Sequence, residues 1–167
     1  MIKKFNSLFV TMFGVGKVKF IPGTVGSFVT IILVFIYFHV VSLSNDLFLV
    51  IWVLFFIYSF YAVSTHIESN DDKDPREVVI DEFLGQCIPI YFYEISHGTT
   101  KESGEALTYY ILFFFLFRYF DIFKPFPVSY FDRNFKNSFG VIIDDICAGL
   151  YVVLTLVCFM VIRSYIL

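Results

Sequence analysis

Residues 20–45 read FIPGTVGSFVTIILVFIYFHVVSLSN, 26 positions without a charged side chain between Lys19 and Asp46. A second run, residues 47–67, holds 21 uncharged positions, and a third, residues 146–162, holds 17. A helix crossing a bilayer needs about 20 mostly apolar residues, so each run can supply a span. Pro22, Gly23 and Gly26 interrupt the beginning of the first run, which places its helix from near Ser27 to about Val41. Two shorter apolar runs, Phe83–Tyr93 and Ala106–Phe117, flank a polar tip, Glu94–Glu105, and read as a helical hairpin that enters the membrane and returns. The expected fold is all-α: a polytopic membrane bundle of four to five membrane-associated helices, with residues 1–167 forming one domain.

Composition points the same way. Of 167 residues, 58% are hydrophobic, 22% aromatic and 16% charged, against roughly 25% charged in soluble domains. Mean hydropathy is +0.78. A net charge of −3 argues against nucleic-acid partners, which call for a basic face. Disorder is excluded by the same hydrophobicity. Cys87, Cys147 and Cys158 are odd in number and lack metal-ligand spacing, so they read as buried thiols. Lys3 and Lys4 precede apolar residues as in a signal peptide, but no small-residue cleavage site follows and Gly14–Lys19 breaks the apolar region.

The charges are one-sided. With the N-terminus in the cytoplasm, Met1–Lys19, Glu68–Glu82 and Arg118–Asp145 place 10 of the 12 Lys and Arg residues inside, leaving Lys101 and Arg163 outside. Eleven of the 15 acidic residues fall on that same side. Several abut or enter apolar helices, where an ionised carboxylate is costly unless a cation accompanies it.

Three blocks carry the polar chemistry. The first, Phe13 to Ser27, is rich in glycine and precedes a helix. It can present backbone N–H groups to a phosphate, or simply cap the first span; it is not a P-loop, because Gly-Lys-Ser/Thr is absent. The second, Asp74 to Gly85, becomes helical near Pro75 on this reading, with Val78, Asp81, Glu82 and Gly85 on one face. Asp71, Asp72 and Asp74 fit a solvated charge run. Adjacent Asp81 and Glu82 at a membrane entry call for Mg²⁺ or a basic partner. The third runs from Phe117 to Pro127 and resumes at Gly140 to Gly149. Arg118 and Asp121 stand three apart on one helical face and can pair, or can join Lys124 in gripping a phosphate. Asp144 and Asp145 either cap the apolar helix after them or ligate a metal through hard oxygens.

Other catalytic patterns are missing. Cys87 has no Arg six positions on, Asp72-Lys73-Asp74 lacks the setting of an aspartyl-phosphate enzyme, and no Ser/His/Asp set is apparent. His39 and His66 lie in apolar runs and His97 sits at the hairpin tip; all three read as incidental.

Pro22–Ser27, Val79–Gly85, Phe117–Pro127 and Gly140–Gly149 together resemble the phosphatidylglycerophosphatase A family, collinearly over about residues 8–165. The resemblance implies a magnesium-dependent bacterial inner-membrane phosphatase that converts phosphatidylglycerophosphate to phosphatidylglycerol and inorganic phosphate. It further implies that Asp81, Glu82, Asp121, Asp144 and Asp145 hold Mg²⁺ or position water. Of these, Asp81, Glu82, Asp121 and Asp145 are the expected catalytic residues. Arg118 and Lys124 would bind the phosphate, with Gly23 and Thr24 nearby. A histidine found in some members between Asp74 and Val78 is replaced here by Pro75-Arg76-Glu77. The expected route is attack by a water that Asp81 or Glu82 activates, with a covalent phosphate on Asp121 or Asp144 as the alternative. The expected partners are a phospholipid and the membrane, with no nucleic acid; the oligomeric state stays open. Rival classes are a cation transporter or channel, with acids at mid-membrane depth or on both sides, and a scaffold whose charges only cap helices.

Overall fold

A computed structural model of the chain describes residues 2–68, 75–97 and 103–166. Asp71, Asp72, Asp74 and Lys101 lie outside the described residues, as do the side chains of His97 and Arg163. Among the described residues all regular secondary structure is helical. In order come α1 (Ile2–Val10), α2 (Pro22–Phe35), α3 (Asn45–Glu68), α4 (Ile80–His97), α5 (Ser103–Phe123), α6 (Val128–Asn134) and α7 (Ser138–Ile166). A π-turn, Ile36–Val40, prolongs α2.

Four helical stretches, Pro22–Val40, Asn45–Glu68, Gly104–Phe123 and Ser138–Ile162, are long and apolar enough to cross a membrane. Their outward faces are apolar, as lipid requires: Leu54, Ile57, Phe115 and Phe159 are all exposed. Polar side chains inside these helices turn back on their own backbone. The Thr30 hydroxyl donates to the Gly26 carbonyl at 2.9 Å, and Ser59 to that of Phe55 at 2.7 Å.

Helix α4, with Asp81, Glu82, Gln86, Pro89 and Glu94, falls short of that apolarity, yet it runs through the bundle centre with Leu84, Gln86 and Ile90 fully buried. Its direction follows from its contacts. At one end Arg118 of α5 approaches Glu82, and at the other Tyr110 of α5 donates to Glu94 at 3.0 Å, so α4 and α5 are antiparallel. On α3, Phe48 stacks on Tyr91, while His66 meets Glu77 just ahead of α4 at 2.8 Å. Thus α3 is antiparallel to α4 as well. His39 of α2 sits 3.4 Å from Glu94, so α2 runs parallel to α4. Glu82 and Glu94 therefore lie at opposite ends of the bundle, and the hairpin traverses it.

Close backbone contact sets α7 against α4. A Cβ on Gly85 would collide with the Asp145 carbonyl, and one on Gly149 with the Gly85 carbonyl. Only small residues permit helices to cross this closely.

Several expectations need correction. The first span begins at Pro22, not near Ser27, because proline is favourable in a first helical turn and the glycines are tolerated inside. Helix α4 begins at Ile80 rather than Pro75. Residues 75–79 form a turn, with the Val78 amide donating to the Pro75 carbonyl, so Val78 is off the helix. Of the two roles open to Asp144 and Asp145, capping falls away: α7 starts at Ser138, where the Asn137 side chain accepts from the amides of Phe139 and Gly140 at 3.1 Å each. Cys87 is buried and Cys147 half-buried, but Cys158 is exposed on the apolar face of α7, where a thiol is compatible with lipid.

Candidate active site

The helix ends on one side of the bundle enclose a cavity of about 920 Å³. Every residue singled out in the sequence as a candidate for catalysis, metal or phosphate lines it. Gly23 and Thr24 come from the start of α2, and Asp81 and Glu82 from the first turn of α4. Arg118 and Asp121 belong to the last turns of α5, Lys124 follows it, and Asp144 and Asp145 lie in the second turn of α7. The α4–α7 crossing at Gly85 and Gly149 joins the second and fourth of these groups. Gly23 joins the first to them, since a Cβ there would strike Glu82 Oε1 and come within 3.3 Å of Arg118 Nη1.

Two cations divide the acids. Arg118 Nη1 is 2.7 Å from Asp121 Oδ2 and 3.9 Å from Glu82 Oε1. Lys124 Nζ donates to Asp144 Oδ2 at 2.9 Å and to Asp132 Oδ1 at 2.7 Å. Asp121, Asp132 and Asp144 thus each have a close cationic partner. Asp81 and Asp145 have none among the described residues, and Glu82 has only the distant one. Those three acids present oxygens that all lie within 4.8 Å of one another. Asp81 and Asp145 are buried, and Glu82 Oε2 is buried without a hydrogen-bond partner.

Three carboxylates so close repel one another, and their shared burial removes the water that would screen them. Their chemistry, hard oxygen donors without thiol or imidazole, fits Mg²⁺ or Ca²⁺ and not a softer transition metal. The residues present therefore fit a divalent cation held by Asp81, Glu82 and Asp145.

The cations are placed for an anion. Arg118 Nη1 is held by Asp121, while Arg118 Nε is buried and makes no hydrogen bond within the protein, leaving a donor for an acceptor that enters the cavity. Burial works against the charge on Lys124, but neighbouring Asp144 and the hydrogen bonds to Asp132 and Asp144 outweigh it, raising its pKa above the ordinary lysine value. Burial likewise pushes the Asp132 carboxyl up, but the bond from Lys124, with the charges of Lys124, Lys136 and Arg133, leaves it below the ordinary value. Ile21 and Lys124, flanking the site, both hold a left-handed φ of 45°. For side chains with a Cβ that conformation costs about 1–3 kcal/mol, and both residues line the cavity.

Sequence reasoning did not single out Asp132, the second acid on Lys124. It lies in the short α6, outside the quoted blocks, and no spacing marked it. Lys17, Lys19, Arg76 and Lys136 also line the cavity; sequence reasoning gave none of them a role in binding phosphate. The three histidines were read as incidental. Of these, His66 binds Glu77 beside the site, while His39 belongs to the opposite end of the bundle.

A family model described as phosphatidylglycerophosphatase A matches residues 8–160. A Haemophilus influenzae protein named "Phosphatidylglycerophosphatase A" is 32% identical over 85% of this chain and 80% of its own length. A Bacteroides thetaiotaomicron protein named "Putative phosphatidylinositol-3-phosphatase" is 34% identical over 84% of each chain. An Escherichia coli "Phosphatidylglycerophosphatase A" is 29% identical over 82% of this chain and 73% of its own. No solved structure matches the chain significantly. With nearly its whole length matched by the family model, and with relatives near 30% identity over most of their own lengths, the chain belongs to the phosphatidylglycerophosphatase A family.

Proposed function

We propose that this protein is a Mg²⁺-dependent membrane phosphatase that hydrolyses the phosphate monoester of phosphatidylglycerophosphate, releasing phosphatidylglycerol and inorganic phosphate at the cytoplasmic face of a bacterial membrane. The observation that carries the reading is the cavity itself: the acids Asp81, Glu82 and Asp145, none with a close cationic partner among the described residues, face the same space as the unpaired Nε–H of Arg118. Family membership supports the phosphatase chemistry. The names of the H. influenzae and E. coli relatives support the substrate. The Lys and Arg balance supports the cytoplasmic orientation, because Lys17, Lys19, Arg76, Arg118, Lys124 and Lys136, all from segments that the charge bias assigns to the cytoplasm, line the cavity.

Asp81, Glu82 and Asp145 would hold the metal, which when bound withdraws charge from the phosphoryl oxygens and lowers the pKa of water. Arg118 binds the monoester through its unpaired Nε–H while Asp121 holds Nη1, and Lys124 adds a point charge beside it. Asp121 and Asp144 position those two cations through contacts of 2.7 and 2.9 Å. Asp81 or Glu82 takes a proton from the attacking water as its oxygen bonds to phosphorus. The ester P–O bond then breaks, and the same proton passes to the departing glycerol oxygen. Burial keeps bulk water from competing for the donors.

The test is phosphate release by detergent-purified protein from phosphatidylglycerophosphate, phosphatidylinositol 3-phosphate and phosphatidic acid, with Mg²⁺ and with chelator. The expected result is Mg²⁺-dependent release that is fastest from phosphatidylglycerophosphate. Faster release from the inositol lipid would reassign the substrate, and release indifferent to chelator would remove the metal.

A further inference from the structure

We infer that the rim of this cavity is a second anion site, in which Lys17, Lys19 and Arg76 take the phosphodiester of the lipid whose terminal monoester lies over the acidic floor. The inference rests on the function proposed above and deepens it: the preferred substrate class becomes lipids that carry a diester and a monoester in one head group. All three cations line the same cavity as the acids and all three are exposed. They come from two loops that touch. Gly16 packs against the backbone of Glu77, so closely that a Cβ would collide with its carbonyl. Lys17 and Arg76, the residues next to that contact, are thereby brought to one edge, and Lys19 follows two residues on.

No ion pair joins Lys17, Lys19 or Arg76 to an acid among the described residues. Glu77, the acid adjoining Arg76, is engaged by His66 Nε2 at 2.8 Å. These cations are unlike Arg118 and Lys124, which already have carboxylates. Their depth is marked by Phe13, Phe20 and Ile21, which are 83%, 80% and 68% exposed around them. Aromatic and aliphatic side chains alternating with lysine belong to the interface, where lipid phosphodiesters lie. Volume agrees: about 920 Å³ is a space suited to a whole head group, well beyond one phosphoryl group.

The test uses Lys17→Gln/Lys19→Gln/Arg76→Gln in the full chain, with Lys3→Gln/Lys4→Gln on α1 as a control that removes positive charge away from the cavity. First, kcat/KM is measured in neutral phosphatidylcholine vesicles for phosphatidylglycerophosphate and for phosphatidic acid, which has no diester. The ratio between the two lipids falls about tenfold in the triple variant, as expected for several partly solvated charge contacts removed together, and holds in the control. An unchanged ratio overturns the inference. So does a change seen only when phosphatidylglycerol is added to the vesicles, which would mean that the cations bind neighbouring lipids. Second, binding of the water-soluble head group glycerophosphoglycerophosphate is compared with that of glycerol 3-phosphate, in Mg²⁺ and detergent. Wild type prefers the former about tenfold and the triple variant does not. Equal binding by wild type overturns the second site even where turnover is normal. Selective binding without turnover of any lipid overturns the proposed function and leaves the second site standing.

Discussion

Gly149 of α7 lies so close to the carbonyl of Gly85 in α4 that no larger residue fits, and this crossing sets Asp145 beside Asp81 and Glu82. The site is therefore a property of helix packing as much as of its acids. Gly85→Ala or Gly149→Ala should cost about 1–3 kcal/mol of stability through overpacking, and should lower Mg²⁺ affinity as the carboxylates move apart. Thermal unfolding in detergent with and without Mg²⁺ checks both effects.

Asp145→Asn and Glu82→Gln should reduce phosphate release by at least about a hundredfold, the scale of losing one preorganised electrostatic group. Without metal neither variant should be less stable than wild type, because each removes like-charge repulsion. Wild type should gain about 2.7 kcal/mol when Mg²⁺ is at a hundred times its Kd, and the variants should gain less. A variant that keeps both turnover and the Mg²⁺ gain would remove that residue from the site.

Arg118→Lys keeps the charge but loses the planar fork and reaches Asp121 differently. We expect roughly a ten- to hundredfold fall in kcat/KM with little change in melting temperature. Gly23→Ala should act in the same direction, since its Cβ would displace Glu82 and crowd Arg118. Steady-state kinetics on the purified variants decides both cases.

The Lys124–Asp132 pair should show a pH signature. Asp132 has a folded pKa below its unfolded one, so its contribution to stability is present above the unfolded value and is lost as pH falls through the folded value. Lys124 is shifted up and stays charged throughout that window. Asp132→Asn should therefore be less stable than wild type at neutral pH, and the two should converge in acid. Melting curves across that range test it; a constant gap would contradict it.

Much of the architecture was legible because lipid imposes a coarse rule: charge-free runs of sufficient length become spans. The Arg118–Asp121 pair was legible too, since three residues along a helix bring side chains to one face. Boundaries were less so. Proline and glycine at positions 22, 23 and 26 signal a break in water, but they begin α2 here because bundle packing supports them. Capping was one of two roles open to Asp144 and Asp145, beside metal ligation, because apolar sequence follows them, while the cap itself is Asn137, seven residues before Asp144. Neither Asp132 nor the contact of Gly16 with Glu77 could be read, since both depend on segments distant in sequence folding onto the same cavity.

The central claim is that Asp81, Glu82 and Asp145 form a divalent-cation site facing Arg118. Crystals of the protein grown with Mn²⁺ in place of Mg²⁺ test it most directly, through anomalous scattering. The account predicts a peak within coordination distance of oxygens from all three carboxylates. A peak elsewhere, or none while the crystallised protein still turns over lipid in Mn²⁺, would contradict it.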